Sequence, residues 1–324
     1  MEESLLKASD SQPAYWDPAY GELTEEEVAQ CGRIKTEFAS KIAYYHTNPD
    51  IIRRNLLLCF LLSFCIWFGL CGLFWGMVNE DTIPLFILGF IPPFAYIFHI
   101  RRLEKQLAKA LLAEREGWLY DPSGSTSRWE TMKVTFEDIF HKGDRNQAIY
   151  DQFWGRFRGK APFWACKFRY TIGYGKNSRT YTEAVYAFRL PDPAAHSLVL
   201  RPQNLLRKLE NKLEMGLTTE SNDFNGLFHI DFEGKPTDVG TEVFQVLSPD
   251  AQEKLIEMRK GIGEFTLLFR GDVMVIASAN QESFFVHHTN FFDNVELDPR
   301  DVEYISGKMD SILGLADAIL PCIG

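Results

Sequence analysis

Asp231 and Glu233 lie two residues apart at the end of a segment that reads as a strand, Phe224 to Phe232, a spacing that turns both carboxylates to one face. Two carboxylates held in this way form a hard-oxygen pair of the kind that coordinates a cation. At a strand end open to water the same pair is merely solvated, and that is the reading we expect. His287 and His288 are adjacent, so on a strand they point to opposite faces and do not chelate together. No HExxH, CxxC, Walker loop, GxGxxG or GxSxG stretch occurs in the chain.

The cysteines offer no better site. Cys59, Cys65 and Cys71 recur every six residues, which at about 100° per residue sends them to three sides of a helix. Cys31, Cys166 and Cys322 are far apart in sequence, and none of the six forms a disulfide framework. Reduced thiols in a cytosolic compartment suit them. No catalytic residue, cofactor or metal site is expected.

The strongest polar feature is a basic stretch, Arg145, Arg156, Arg158, Lys160, Lys167, Arg169, Lys176 and Arg179, interleaved with Trp154, Phe157, Phe163 and Trp164. On an extended backbone Arg156, Arg158 and Lys160 share one face, and Lys167 and Arg169 share another. Such a face could lie on anionic lipid headgroups, each basic residue contributing about 1 kcal/mol, or on a partner protein. The alternative is an ordinary solvated sheet face. A formal net charge of -10 excludes a general nucleic-acid binder, whose affinity rests on neutralising phosphates.

These residues hang on two uncharged apolar runs, Asn55 to Val78 and Thr82 to Ile100. At about 1.5 Å per residue they would rise roughly 36 Å and roughly 28 Å, against a hydrocarbon core of about 30 Å. Arg53 and Arg54 precede the first run, and Arg101, Arg102, Lys105 and Lys109 follow the second, while the joining Asn79, Glu80 and Asp81 carry no positive charge. By the positive-inside bias both termini are cytoplasmic. No apolar region lies near Met1, so a cleaved signal peptide is not expected. The expectation is therefore an integral two-span hairpin and a multi-pass inner-membrane location.

Within the first run, Cys65, Gly69, Gly72 and Gly76 follow a 4, 3, 4 spacing that places small residues on one helical face. That face packs either against the second run, which offers Gly89 and Ala95, or against a second protomer or partner protein.

Before the runs, Thr24 and Glu27 form a capping box for a helix from Glu25 to about Tyr45. After them, Leu103, Leu107, Ala110, Leu111 and Trp118 continue a helical stripe to about Leu119, where Asp121, Pro122, Ser123 and Gly124 end it. From Arg128 the period changes to two. Cys166 to Ile172 alternates as a half-buried strand, Gly173 to Ser178 turns, and Tyr181 to Leu190 returns. A short strand at Leu198 to Leu200, a helix at about Gln203 to Met215, and strands at Phe224 to Phe232 and Glu242 to Leu247 follow. Ser248 and Pro249 start a helix to about Lys260. Phe265 to Arg270 and Val273 to Ala279 read as a hairpin on Gly271 and Asp272, and Ser283 to His288 as a further strand. A last helix begins near Asp298 and presents Val302, Ile305, Met309, Ile312, Ala316 and Ile319 on one face.

The segments FNGLFHIDFEGK (Phe224 to Lys235), FQVLSPD (Phe244 to Asp250) and FTLLFRGDVMVIAS (Phe265 to Ser278) resemble a bacterial family with a domain of unknown function whose members carry two N-terminal transmembrane helices. The chain departs from that family at Glu233 and Gly234, where the family pattern has an Asn-Lys pair. The resemblance implies a topology, a transmembrane hairpin followed by a cytoplasmic α+β domain, and no activity.

The expected organisation is a cytoplasmic N-terminal segment with an amphipathic helix (1–54), a transmembrane hairpin (55–100), a juxtamembrane helix and linker (101–127) and a cytoplasmic α+β domain with mostly antiparallel pairing (128–324). The functional expectation is a non-catalytic binding or scaffolding module for a protein partner, a homo-oligomer or the lipid surface. The rival is a membrane-tethered enzyme acting on a lipid or small molecule. A deep polar pocket of titration-shifted groups would favour the enzyme, and an apolar surface patch the binding module.

Overall fold

A computed structural model describes residues 15–47, 49–74, 91–156, 162–203, 219–233, 247–279 and 299–319. Its centre is a six-stranded, wholly antiparallel sheet. The strands are β3 (Leu119–Asp121), β4 (Arg145–Arg156), β5 (Pro162–Ile172), β6 (Arg179–Pro202), β7 (Phe228–Glu233) and β8 (Phe265–Ala279). β1 (Trp16–Asp17) and β2 (Gly21–Glu22) form a separate small hairpin. The helices are α1 (Glu25–Thr47), α2 (Pro49–Phe74), α3 (Ile91–Glu116), α4 (Thr126–Thr135), α5 (Glu137–Phe140), α6 (Asn222–Leu227), α7 (Pro249–Ile262) and α8 (Pro299–Ile319). The expected α+β class with an antiparallel sheet is what the chain adopts.

The two-span hairpin is not. Among the described residues no helix is long and apolar enough to cross a membrane. α2 spends its opening turns on Pro49, Asp50, Arg53 and Arg54, and is described only to Phe74. The described part of the second run, Ile91 to Ile100, rises about 15 Å before α3 turns polar at Arg101, half of a hydrocarbon core. The rest of the hairpin, from Trp75 to Phe90, lies outside the described residues. The fold is thus corrected from a membrane protein to an α+β protein, and the integral two-span contact and the multi-pass inner-membrane location with cytoplasmic termini go with it.

Both faces of the sheet are covered. On one, Leu112 and Ala113 of α3, Leu255 and Met258 of α7, and Met309 and Ile312 of α8 pack over Phe163, Ala165, Tyr186 and Phe188. On the other, Trp16, Cys31 of α1, and Met132, Phe136, Ile139 and Phe140 of α4 and α5 pack over Trp164, Cys166, Phe168 and Val185. This explains the aromatic richness of β5, whose neighbouring side chains enter two different cores. The expected half-buried alternation holds from Cys166 to Tyr170, with Lys167 half-buried and Arg169 exposed, and reverses only at its end, where Thr171 is buried and Ile172 exposed.

Several local signals act as the sequence predicts. Thr24 N donates to Glu27 Oε2 at 2.9 Å and Glu27 N to Thr24 Oγ1 at 3.3 Å, a closed capping box at the head of α1. Ser248 Oγ accepts from Ala251 N at 3.3 Å with Pro249 in the first turn of α7. Two readings fail for identifiable reasons. Ser221 Oγ accepts from Phe224 N at 3.2 Å, so Phe224 belongs to the short helix α6 and the strand starts only at Phe228. The hairpin on Gly271 and Asp272 is absent because both halves of β8 pair with β6: Val273 to Ala279 with Glu183 to Arg189, and Leu267 to Phe269 with Leu198 to Leu200. Gly271, at φ 57°, faces Ala194 where the register shifts, so its left-handed backbone makes an irregularity within one strand. The strands expected at Glu242 to Leu247 and Ser283 to His288, and the helix at Gln203 to Met215, fall largely or wholly outside the described residues.

Candidate functional site

β4 carries two bulges, and they aim its polar residues. The pairing with β5 slips by one residue between Arg145 and Ala148 and again between Tyr150 and Phe153. Each slip holds a non-glycine residue at positive φ, Asn146 at 55° and Asp151 at 50°, both of a type that tolerates the left-handed region. The second bulge changes the parity of β4. Ile149 points into the core under α4 and α5, whereas Phe153 points into the core under α3.

Asp151 lies in that second bulge and turns toward α3. Its Oδ2 accepts from Lys109 Nζ at 2.6 Å and lies 3.3 Å from Lys167 Nζ, while Oδ1 accepts from the Tyr120 hydroxyl at 2.7 Å. Lys109 is 3% exposed and Asp151 8%. Burial pulls the Lys109 ammonium down to about 8, opposed by Asp151. Burial alone would raise the Asp151 carboxyl, but the charges of Lys109 and Lys167 and the hydrogen bonds from Lys109 and Tyr120 outweigh it and hold it at about 2. The Tyr120 hydroxyl is pushed well up, first by burial and then by Asp151. At neutral pH Asp151 is therefore an ionised carboxylate already engaged by two lysines and a tyrosine, which makes it a poor general base. The cluster clamps α3 to β3, β4 and β5.

A second polar knot ties the N-terminal hairpin to the opposite face. Asp17, 1% exposed, accepts from Ala19 N at 2.9 Å, Tyr20 N at 3.2 Å and Trp154 Nε1 at 3.1 Å, and pairs with Arg128. The Arg128 guanidinium also lies over the Tyr20 and Trp154 rings. A third knot binds α5 to the sheet, with Arg201 between Asp138 and Asp231 and Arg270 reaching Asp138 at 3.1 Å.

This last network disposes of the carboxylate pair. Asp231 accepts from Arg201 Nε at 2.7 Å and meets His229 Nε2 at 2.8 Å, so its oxygens face cationic or donor groups. Glu233 closes β7, and its side chain lies outside the described set. Among the described residues no group of three His, Cys, Asp or Glu side chains could hold a metal ion. His287 and His288 also lie outside the described residues.

The basic stretch is scattered. Arg156 pairs with Pro162 at one end of the β4–β5 hairpin, and Arg169 with Ala148 near the other, about 23 Å along the strand. Both are exposed. Lys167 is ion-paired with Asp151 and half-buried. Arg158 and Lys160 lie outside the described residues. Nothing described joins these residues into one basic face.

The surface feature that does form is apolar. Along α2, Leu57, Leu58, Phe60, Leu61, Leu62, Phe64, Ile66 and Phe68 are between 38% and 61% exposed. Among its described side chains only Ser63 is buried, with Asn55 and Cys59 half-buried. Ser63, which donates to Cys59 O at 2.7 Å, is buried, and Asn55 Nδ2 donates to the Tyr96 hydroxyl of α3 at 3.3 Å. Of the small-residue face, Cys65 and Gly69 are exposed, and a Cβ added at Gly69 would meet no atom within 4 Å. Gly72 is in α2 with its surroundings outside the described set, and Gly76 is outside it altogether.

No family model matches the chain, and neither does any curated protein. A crystal structure of the mycobacterial trehalose monomycolate transport factor A, TtfA, is similar over 66% of this chain and 95% of its own, with 9% sequence identity and a TM-score of 0.32. A likeness at that level assigns neither fold nor function.

The Lys109, Asp151 and Tyr120 cluster, the Asp17 knot and the docked N-terminal hairpin are absent from the sequence reading. A lysine on a helix and an aspartate in a strand read as solvated, and a bulge leaves no fixed sequence signature to say otherwise. The available signal was the bare charge of Asp151 between Tyr150 and Phe153 in a strand otherwise rich in apolar residues.

Proposed function

We propose that this chain is a non-catalytic binding module that uses the exposed face of α2 to pack against an apolar helix of a protein partner. The observation that carries this reading is the run of large apolar side chains from Leu57 to Phe68, exposed and uninterrupted by any charged residue. Isolated apolar residues on a surface need no explanation, but a contiguous row of this size marks an interaction site. The small side of the helix at Cys65 and Gly69 lets a second backbone approach closely. Of the described groups with displaced titration, Lys109, Asp151 and Tyr120 are buried in contact with one another, as suits a structural clamp. A shallow open depression on α1, lined by Ala29, Gly32, Arg33, Thr36, Glu37 and Ser40, lacks the enclosure of a substrate pocket.

Cys65 reports on this face directly. Its thiol is exposed, whereas burial, followed by the negative charge of Asp121, pushes the Cys31 thiol up to about 12 and burial raises Cys166 well above its ordinary range. Maleimide labelling of the native assembly, read peptide by peptide, should leave Cys65 protected, and Leu61→Glu should restore its labelling. Full labelling of Cys65 in the native assembly would overturn the reading.

A further inference from the structure

The scattered basic stretch leaves one compact remnant, at the turn that joins β5 to β6. From Gln152 to Thr182 the chain holds no aspartate or glutamate, and in the turn itself Lys176 and Arg179 are exposed and form no ion pair among the described residues. Large apolar surfaces stand beside them. Tyr174, Ile172 and Tyr181 are 72%, 45% and 40% exposed. Ile172 faces Arg179 across the two strands and Tyr181 faces Tyr170. Strand alternation therefore puts Ile172, Arg179 and Tyr181 on one side of the ribbon and Arg169, also exposed, on the other.

The turn is held in place. Arg145 Nη2 donates to Gly173 O at 2.7 Å, and the same guanidinium lies over the Tyr174 ring, 4.9 Å from its centroid. Gly173 N donates to Asp144 Oδ2 at 2.8 Å, and the Tyr170 and Tyr181 rings stack with centroids 5.5 Å apart. Gly173 sits at φ 80°, with Asn177 O 3.1 Å from the place of an added Cβ, so this course of the backbone requires glycine. Tyr174 is thus bare but fixed, and a partner that meets it loses little conformational entropy.

We propose that this turn docks an acidic segment of a partner protein, with Lys176 and Arg179 pairing with its carboxylates and Tyr174 and Ile172 receiving the apolar side chains between them. Charge complementarity selects the sign of the occupant, because an acid-free turn stands out on a chain whose formal net charge is -10. The same net charge disfavours a nucleic acid, whose phosphates run on past the turn into repulsion, whereas a short acidic segment needs to touch the turn alone. A bilayer is a poorer fit too. Exposed cations stand on both sides of the ribbon, at Arg179 and at Arg169, and a plane lies against one side while an extended chain crossing the tip reaches both. This surface is separate from the α2 face and stands whether or not that face docks a helix.

Fluorescence anisotropy of a short labelled peptide of Glu and Asp interrupted by Phe, titrated with the full chain in neutral detergent at low salt, tests the proposal. Saturable binding is expected, and it should weaken with added salt, since exposed charges are screened within about 10 Å at 0.1 M ionic strength. The Lys176→Glu, Arg179→Glu variant should bind about tenfold more weakly or worse, with its circular dichroism unchanged. Tyr174→Ala should also weaken binding, and Leu61→Glu on α2 should leave it as it is. Absence of binding, or binding undiminished in the double variant, would overturn the proposal. Tighter binding of a single-stranded oligonucleotide, or of phosphatidylserine doped into the detergent micelles, would overturn it as well and assign the turn to a different class of partner.

Discussion

Lys109 Nζ and Asp151 Oδ2 lie 2.6 Å apart between α3 and the bulge of β4, nearly sealed from solvent. A buried pair of this kind gives little net stability compared with a well-packed apolar pair, but losing one member leaves an uncompensated charge. Asp151→Asn should therefore destabilise the fold by about 3–5 kcal/mol, while the joint replacement Lys109→Met, Asp151→Leu should cost less, about the 1–3 kcal/mol of leaving the buried Tyr120 hydroxyl without its acceptor. Urea unfolding of the three proteins checks the order. A single variant no worse than the double would show that the pair does not clamp the helix.

The same contact sets an acid limit. The folded Asp151 carboxyl sits at about 2, against 3.8 for an ordinary one, so its contribution is complete above about pH 4 and is lost as the pH falls toward 2. The amount at stake is about 2 kcal/mol. Between pH 5 and pH 2.5 the wild type should lose more stability than the Lys109→Met, Asp151→Leu variant. Equal losses would place the acid sensitivity elsewhere. Lys109 acts at the other end: with its folded value at about 8, below the ordinary 10.5, it binds fewer protons folded than unfolded in that window, so it favours folding increasingly as pH rises through it.

Gly155 is fixed by Trp118. A Cβ at residue 155 would sit closer than 3.0 Å to several atoms of the indole, whose Nε1 donates to Arg156 O at 3.1 Å. Trp118 is buried and cannot retreat without breaking the join between β3 and β4. Gly155→Ala should cost about 1–3 kcal/mol by overpacking, with a red-shifted tryptophan emission as the local sign. Gly226, whose added Cβ would meet no atom within 4 Å, is the control, and Gly226→Ala should be close to neutral.

Sequence reading reached the elements whose signals are local. The Thr24 and Glu27 box, the Ser248 and Pro249 start of α7, and the Ile305, Met309, Ile312 and Ala316 face of α8 each rest on contacts within a few residues, or on a period that one helix imposes. It failed where a distant strand decides. Gly271 and Asp272 have the chemistry of a two-residue turn, but β6 is long enough to pair with both halves of β8, and that pairing keeps the chain straight. At β5 the period of two was real, with Cys166, Phe168 and Tyr170 buried and Arg169 exposed; the sequence reading missed that the strand begins at Pro162 and there buries both faces, Phe163 and Ala165 under α3, α7 and α8 and Trp164 under α4 and α5. The apolar run of α2 was plain in the sequence. Its meaning depended on how much of it forms one helix, and on what covers it.

The central claim is that the exposed face of α2 is a protein-docking surface. A photoreactive benzophenone amino acid placed at Leu61, in cells making the full chain, tests it most directly. Val134 on α4, 84% exposed and far from any apolar row, provides the control position. The account predicts a discrete protein adduct from residue 61 and none from residue 134. No protein-sized adduct at residue 61, or equal adducts at both positions, would contradict it.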